Sequence, residues 1–229
     1  MKTTLAALFA VIALTAPVYA VPILQLYMPG STYDGSTESW LTTNNPFTLQ
    51  VLGASKNGNI LFIDDPTLHI AVPEDWWEDG TTVTLTGPGY ESGLTIDSWS
   101  FGQPAGLSPH GIYPTHFASV VLPGMDVANG TDVIHDYNPG GDGTDTGVIW
   151  EYEVSYTEAF GIHMDATGTA LKKNGRWADV FAPYSHDADA PGDEPGGDSP
   201  PIPEPSALLL IAGGLVAAGR PASPRRASP

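Results

Sequence analysis

Apolar and polar residues alternate with a period of two over much of this sequence. Such alternation is typical of β-strands with one buried face, because successive side chains of a strand point to opposite sides of the sheet. Between the two chain ends we find no stretch with the 3.6-residue period of an amphipathic helix. The alternating apolar positions include Phe47, Leu49 and Val51; Leu68, Ile70 and Val72; Leu94 and Ile96; Trp150, Tyr152, Val154 and Tyr156; and Ile162, Met164 and Ala166.

Turn-forming pairs separate these alternating segments. Glycine supplies the positive φ that tight turns need, and asparagine and aspartate tolerate it. The pattern predicts an all-β protein, with an antiparallel β-sandwich of about eight to ten strands over residues 21–184. The pairs include Asn57-Gly58, Asp79-Gly80, Pro123-Gly124, Asn129-Gly130 and Asn174-Gly175.

The sequence contains no cysteine among its 229 residues. Disulfides, thiolate metal sites and cysteine nucleophiles are therefore excluded. The sequence also lacks a G-x-S-x-G elbow, a phosphate-binding loop and a dinucleotide fingerprint. No enzyme class is indicated.

Charge is distributed very unevenly. All 26 acidic residues lie between Asp34 and Glu204, and only four of the eight basic residues lie in that region, which gives it a net charge of 4 − 26 = −22. A field of this sign repels nucleic acid and anionic lipid. We therefore expect no nucleic-acid partner.

The two chain ends differ from the body. Residues 1–20 have the pattern of a secretory signal peptide, with Lys2, an apolar stretch and small residues before a cleavage point predicted after Ala20. Residues 185–202 are rich in Asp, Ala, Gly and Pro, which predicts an acidic, flexible linker.

The C-terminal segment, residues 203–229, combines three features. Pro203, Glu204 and Pro205 precede an apolar stretch from Ser206 to Gly219, and Arg220, Arg225 and Arg226 follow it. At ~1.5 Å per residue, the stretch predicts a hydrophobic helix of about 21 Å, shorter than the ~30 Å of a bilayer core, so we expect only a transient insertion in the inner membrane. Arginines on the far side fit the positive-inside rule.

This arrangement resembles the PEP-CTERM sorting signal of Gram-negative bacteria. The resemblance implies an exosortase partner that cuts near Pro203, Glu204 and Pro205 and sends the body to the cell surface or the extracellular matrix. The sequence departs from the usual pattern where Pro221 to Pro224 divide the arginines.

The body resembles the choice-of-anchor N family. The segments that carry this resemblance are Val21 to Tyr27, Thr32 to Asp34, Glu38 to Trp40, Gly161 to Asp165 and Phe181 to Ala188. The resemblance implies an extracellular domain joined to an interchangeable sorting signal, and it implies no activity.

A glycine-rich acidic loop is the candidate cation site. Calcium prefers six to eight oxygen ligands, which such a loop can supply, although the spacing does not match an EF-hand. Calcium is the only cofactor that the sequence suggests. The candidate ligands are Asp132, Asp136, Asn138, Asp142 and Asp145.

Trp76 and Trp77, framed by four acidic residues, are the candidate ligand-stacking pair. Aromatic rings stack on sugars while carboxylates accept hydroxyl hydrogens; alternatively, one tryptophan is buried and the next exposed. Glu151 and Glu153 share one strand face, at a spacing that some glycosidases use. The histidines are scattered without a short metal-ligand spacing.

The sequence therefore predicts an exported, non-catalytic protein with a structural or binding role. Two alternatives stay open beside it: a carbohydrate-binding module for exopolysaccharide, and a calcium-stabilised adhesive surface protein. A glycoside hydrolase is the least favoured interpretation.

Overall fold

A computed structural model gives the fold of this chain. It describes residues 21–35, 39–107, 111–137, 141–157, 159, 161–182 and 187–191. The predicted signal peptide, most of the predicted linker and the whole sorting segment lie outside these ranges.

The described residues form fourteen strands and one short 3₁₀ helix, Glu74–Trp76. No α-helix is present among them, and none of their helices is long and apolar enough to cross a membrane. The strands in chain order are β1 (Leu24–Tyr27), β2 (Thr32–Asp34), β3 (Ser39–Leu41), β4 (Phe47–Ala54), β5 (Ile60–Val72), β6 (Thr82–Gly87), β7 (Tyr90–Ile96), β8 (Ser100–Gly102), β9 (Thr115–Val121), β10 (Asp132–His135), β11 (Thr144–Thr157), β12 (Gly161–Lys172), β13 (Trp177–Phe181) and β14 (Asp187–Pro191).

These strands form two sheets. The small sheet has the order β1-β4-β11-β6-β7, with β10 also paired to β11, and all its pairs are antiparallel. The large sheet has the order β2-β3-β14-β12-β5-β9-β8, with β13 also paired to β12. Its only parallel pair among the described strands is β14 with β3.

One hydrophobic core receives side chains from both sheets. Leu49, Val51 and Tyr152 enter it from the small sheet, and Leu68 and Ile70 enter it from the large sheet. All five are fully buried. The period-two alternation thus identified the buried faces of both sheets, and the predicted all-β class is confirmed.

Two expectations need correction. The described part of the chain contains more strands than the eight to ten predicted, because several strands of three or four residues are too short to show a period. The predicted linker, residues 185–202, overlaps β14, whose residues pair with β12 and β3. Its acidic composition suggested solvation, but Asp189 is fully buried beside His163.

Candidate ligand-binding surface

The tryptophan pair is divided between the core and the surface. After β5, the chain makes the 3₁₀ turn Glu74–Trp76, and the Trp76 backbone N–H donates to the carbonyl of Pro73 at 2.8 Å. Trp76 is only 2% exposed and belongs to the core. Trp77 is half-buried and packs against the core. Of the two predicted stacking residues, only Trp77 is partly exposed.

Trp77 belongs to a cluster of four rings, which we call the aromatic patch: Trp77, Trp99, Phe101 and His116. The Trp77 and His116 rings are stacked at a centroid distance of 3.9 Å and an angle of 12°. Trp99 meets Trp77 edge-on at 5.5 Å, and Phe101 meets His116 edge-on at 5.2 Å. Phe101 is 60% exposed, although it is a large apolar side chain. Phe101 is therefore the most exposed ring of the patch, beside three half-buried ones.

A hydrogen bond fixes Trp99 within the patch. The Trp99 indole N–H donates to the Thr81 carbonyl at 2.9 Å, and the Thr81 hydroxyl donates to the Glu78 carbonyl at 2.6 Å. Nδ1 of His116 is buried and has no hydrogen-bond partner. Trp99 is therefore held by a hydrogen bond, and Trp77 is held by its stacking on His116.

Acidic side chains surround the patch in sequence and are exposed. Glu74 and Asp75 precede the tryptophan pair, Glu78 and Asp79 follow it, and Asp97 lies two residues before Trp99. Ring faces can cover the C–H surface of a sugar, and carboxylates can accept hydrogen bonds from its hydroxyls. The arrangement therefore has the chemistry for binding a neutral sugar.

The predicted calcium ligands do not converge within the described residues. Asp132 Oδ2 accepts the Ile149 N–H at 2.8 Å, and Asp145 accepts the Ser55 hydroxyl at 3.0 Å and the Asn57 N–H at 2.9 Å. Asp136 is buried, Asp142 is exposed, and Asn138 lies outside the described ranges. In the part of the chain that the structure describes, no group of three acidic or histidine side chains is arranged to hold a metal. The carboxylates of Asp132 and Asp145 instead fix β10, β11 and the turn after β4 to one another.

A buried polar cluster, which the sequence did not reveal, lies on the face of the large sheet that points away from the core. Asp189 Oδ1 is 2.5 Å from His163 Nδ1, and Asp165 Oδ2 is 3.4 Å from His163 Nε2. The Tyr113 hydroxyl donates to Asp165 Oδ2 at 2.9 Å. The only sequence signal for this cluster is that His163 and Asp165 alternate with the apolar residues of β12. Polar residues at such strand positions usually face water.

The pKa values of the two histidines on this face, His163 and His69, are shifted in opposite directions. Burial lowers the pKa of His163, but the carboxylates of Asp189 and Asp165 outweigh it and raise the pKa well above the ordinary value. His69 lies opposite Asp165 in the register, where burial lowers its pKa against the opposing effect of that carboxylate. His69 contacts the hydroxyls of Ser119 and Thr167 at 2.9 Å each. The contact between His163 and Asp189 links β12 to β14.

Glu151 and Glu153 are exposed on the outer face of the small sheet. Glu151 accepts a hydrogen bond from the Gln50 side chain at 2.8 Å. The residues named for processing, Ala20, Pro203, Glu204, Pro205, Arg220, Arg225 and Arg226, lie outside the described ranges.

Comparison with known proteins gives no assignment. No family model and no curated protein matches the sequence. AvmM, which catalyses macrocyclization in alchivemycin A biosynthesis, aligns with a TM-score of 0.36 and 11% identity over 76% of this chain and 92% of its own. The collagen binding domain of the Erysipelothrix rhusiopathiae surface protein RspB aligns with a TM-score of 0.23 and 10% identity over 75% of this chain and 49% of its own. At these TM-scores, neither similarity carries an argument about fold or function.

Proposed function

We propose that this chain is an exported β-sandwich protein that binds carbohydrate without catalysis through the aromatic patch. The observation that supports the proposal is the partly exposed cluster of Trp77, Trp99, Phe101 and His116, with exposed acidic side chains close to it in sequence. Its ligand is a sugar surface of the extracellular matrix.

Glycan-array binding of the exported protein tests this proposal. We expect selective binding to a polysaccharide, and we expect Trp77→Ala to weaken it roughly two- to tenfold, since contact with an aromatic face contributes about 0.5–1.5 kcal/mol. Trp177→Ala is the matched control, because Trp177 is 51% exposed on β13 and is not part of the patch. Equal effects of the two substitutions would refute a role for the patch.

We propose further that the C-terminal segment directs the protein to the cell surface or the exopolysaccharide matrix of a Gram-negative bacterium. The order Pro203-Glu204-Pro205, apolar stretch and arginines supports this proposal, and an exosortase is the expected partner. Mass spectrometry of the matrix-associated protein should find a C-terminus near residues 203–205. Recovery of a chain that still contains Arg225 and Arg226 would contradict it.

A further inference from the structure

The few basic side chains of the body lie at one end of the molecule. Lys56 lies in the turn between β4 and β5, and Lys172, Lys173 and Arg176 lie at the turn between β12 and β13. No other lysine or arginine occurs between Val21 and Glu204, where 26 acidic residues occur. All four cations lie in two adjacent turns. This end of the domain therefore differs in charge from the acidic remainder.

The two turns form a cleft of about 550 Å³, which we call the cationic cleft. Lys56, Lys172 and Lys173 line it together with the amide side chains of Asn59 and Asn174. The side chain of Ile23 is partly exposed and adds an apolar surface, and Ile60, which is 2% exposed, lies beneath it in the core. A ligand of this cleft therefore meets lysine and asparagine side chains beside one apolar side chain.

Backbone hydrogen bonds hold the walls of the cleft together. The Lys173 N–H donates to the Asn59 carbonyl at 2.8 Å, which joins one turn to the other. The Lys172 N–H donates to the Arg176 carbonyl at 2.8 Å. Lys56 and Asn57 have φ of 51° and 55°, and Asp145 holds this left-handed turn through the Asn57 N–H. The site is thus formed before a ligand binds, which reduces the entropy cost of binding.

No acidic side chain of the described residues pairs with these cations. Neither Lys56, Lys172, Lys173 nor Arg176 forms an ion pair with any acidic side chain in the described ranges. In a region with a net charge of −22, such an arrangement leaves local positive charge available to an external anion.

We propose that the cationic cleft binds the carboxylates of an acidic polysaccharide. The ammonium groups pair with carboxylates, the asparagine amides bond ring hydroxyls, and Ile23 contacts the apolar face of a sugar ring. A broad anionic surface such as a membrane would also be repelled by the acidic residues outside the cleft. A single polysaccharide chain is narrow enough to contact the cleft without contacting those residues. At physiological salt, charges beyond a Debye length of ~8 Å are largely screened, so the acidic remainder does not cancel this attraction.

This second site is separate from the aromatic patch. The cleft lies at the Ile60 end of β5, and His116 pairs with Val72 at the other end. At ~3.3 Å per residue, the two ends of this 13-residue strand are roughly 40 Å apart. The cleft proposal does not depend on the aromatic patch.

Calorimetric titration of the exported protein with a hexameric oligogalacturonate tests the proposal, with the fully methyl-esterified hexamer as the matched ligand. Esterification removes the charge and retains the rings. We expect the acid to bind at least tenfold more tightly than the ester. The double substitution Lys172→Gln and Lys173→Gln should weaken binding of the acidic hexamer at least tenfold. Trp77→Ala should leave that binding unchanged. Arg176→Gln, in the same turn but outside the lining, should weaken it less than threefold.

Three outcomes would overturn the proposal. The ester could bind as well as the acid, which would mean that charge does not decide recognition. Arg176→Gln could cost as much as the double substitution, which would indicate a diffuse field in place of a site. Sedimentation without glycan could show dimers that the double substitution abolishes, in which case a second copy occupies the cleft. Unchanged thermal midpoints would show that all variants are folded.

Discussion

At the scale of single residues, His163 lies at the centre of a buried polar cluster with Asp165 and Asp189. It is 2% exposed, and Asp165 and Asp189 face its two nitrogens at the same level of burial. Removal of one member of a buried ionic group leaves the others without compensation in a low-dielectric environment. One Asp189 oxygen, Oδ2, already has no hydrogen-bond partner, which leaves this cluster little tolerance for further loss.

We predict that His163→Gln lowers the free energy of unfolding by about 3–5 kcal/mol below pH 6.5, the range measured for broken buried ion pairs. Because the folded-state pKa of His163 is raised, the folded protein holds this proton where the unfolded chain releases it. The advantage of the wild type over the variant is therefore fully present below the unfolded pKa, and it declines as pH rises through the folded pKa.

Denaturant titrations of both proteins from pH 5 to pH 10 measure this difference. His135→Gln is the control, since His135 is exposed at the end of β10. A wild-type advantage that stays constant over the whole range would show that His163 contributes by packing and not by charge.

At the scale of secondary-structure elements, β14 joins parts of the large sheet that are distant in sequence. It pairs with β12 from Gly161 to Met164 on one side and with β3 on the other. The hairpin of β2 and β3 has no other strand neighbour among the described residues. Loss of β14 would therefore remove the strand pairing that joins this hairpin to the sheet, leaving side-chain packing such as that of Trp40 on Tyr27, and it would expose the β12 edge.

Two C-terminal truncations test this role. Removal of residues 192–229 should leave the thermal midpoint unchanged, because β14 is retained. Removal of residues 187–229 should lower it by more than 10 °C or abolish soluble expression, since unpaired strand edges aggregate. The variant Asp189→Asn keeps β14 but removes the charge of the carboxylate, so it distinguishes the effect of that charge from the effect of the strand. If both truncated proteins melt together, β14 does not contribute to stability.

Sequence periodicity located the long strands and the core, because burial of one sheet face imposes a period of two on every long strand. It could not locate β14, whose segment Asp187–Pro191 contains only small, acidic and proline residues. The partner that makes burial of Asp189 possible, His163, lies 26 residues away. Of the patch residues, the sequence predicted only Trp77. Phe101 and His116 meet through the pairing of β8 with β9, which the sequence does not show, and Trp99 reaches Trp77 from the residue just before β8.

At the scale of the whole molecule, net charge opposes folding. The region from Val21 to Glu204 carries 26 acidic and four basic residues, and the basic ones lie at one end. Repulsion between like charges is stronger in the compact state than in the expanded chain. Salt weakens it, since the Debye length falls from ~30 Å at 0.01 M to ~8 Å at 0.15 M.

We predict that the thermal midpoint rises by several degrees between 0.01 M and 0.15 M NaCl, given that ~1 kcal/mol shifts it by about 2–4 °C in a domain of this size. Calcium chloride at matched ionic strength separates screening from specific binding. A larger rise with calcium, reversed by chelator, would support the calcium hypothesis for Asp132, Asp136, Asn138, Asp142 and Asp145, because a ligand of the folded state alone raises its stability. A midpoint that falls with NaCl would show that attractive charge pairs outweigh repulsion and would contradict the prediction.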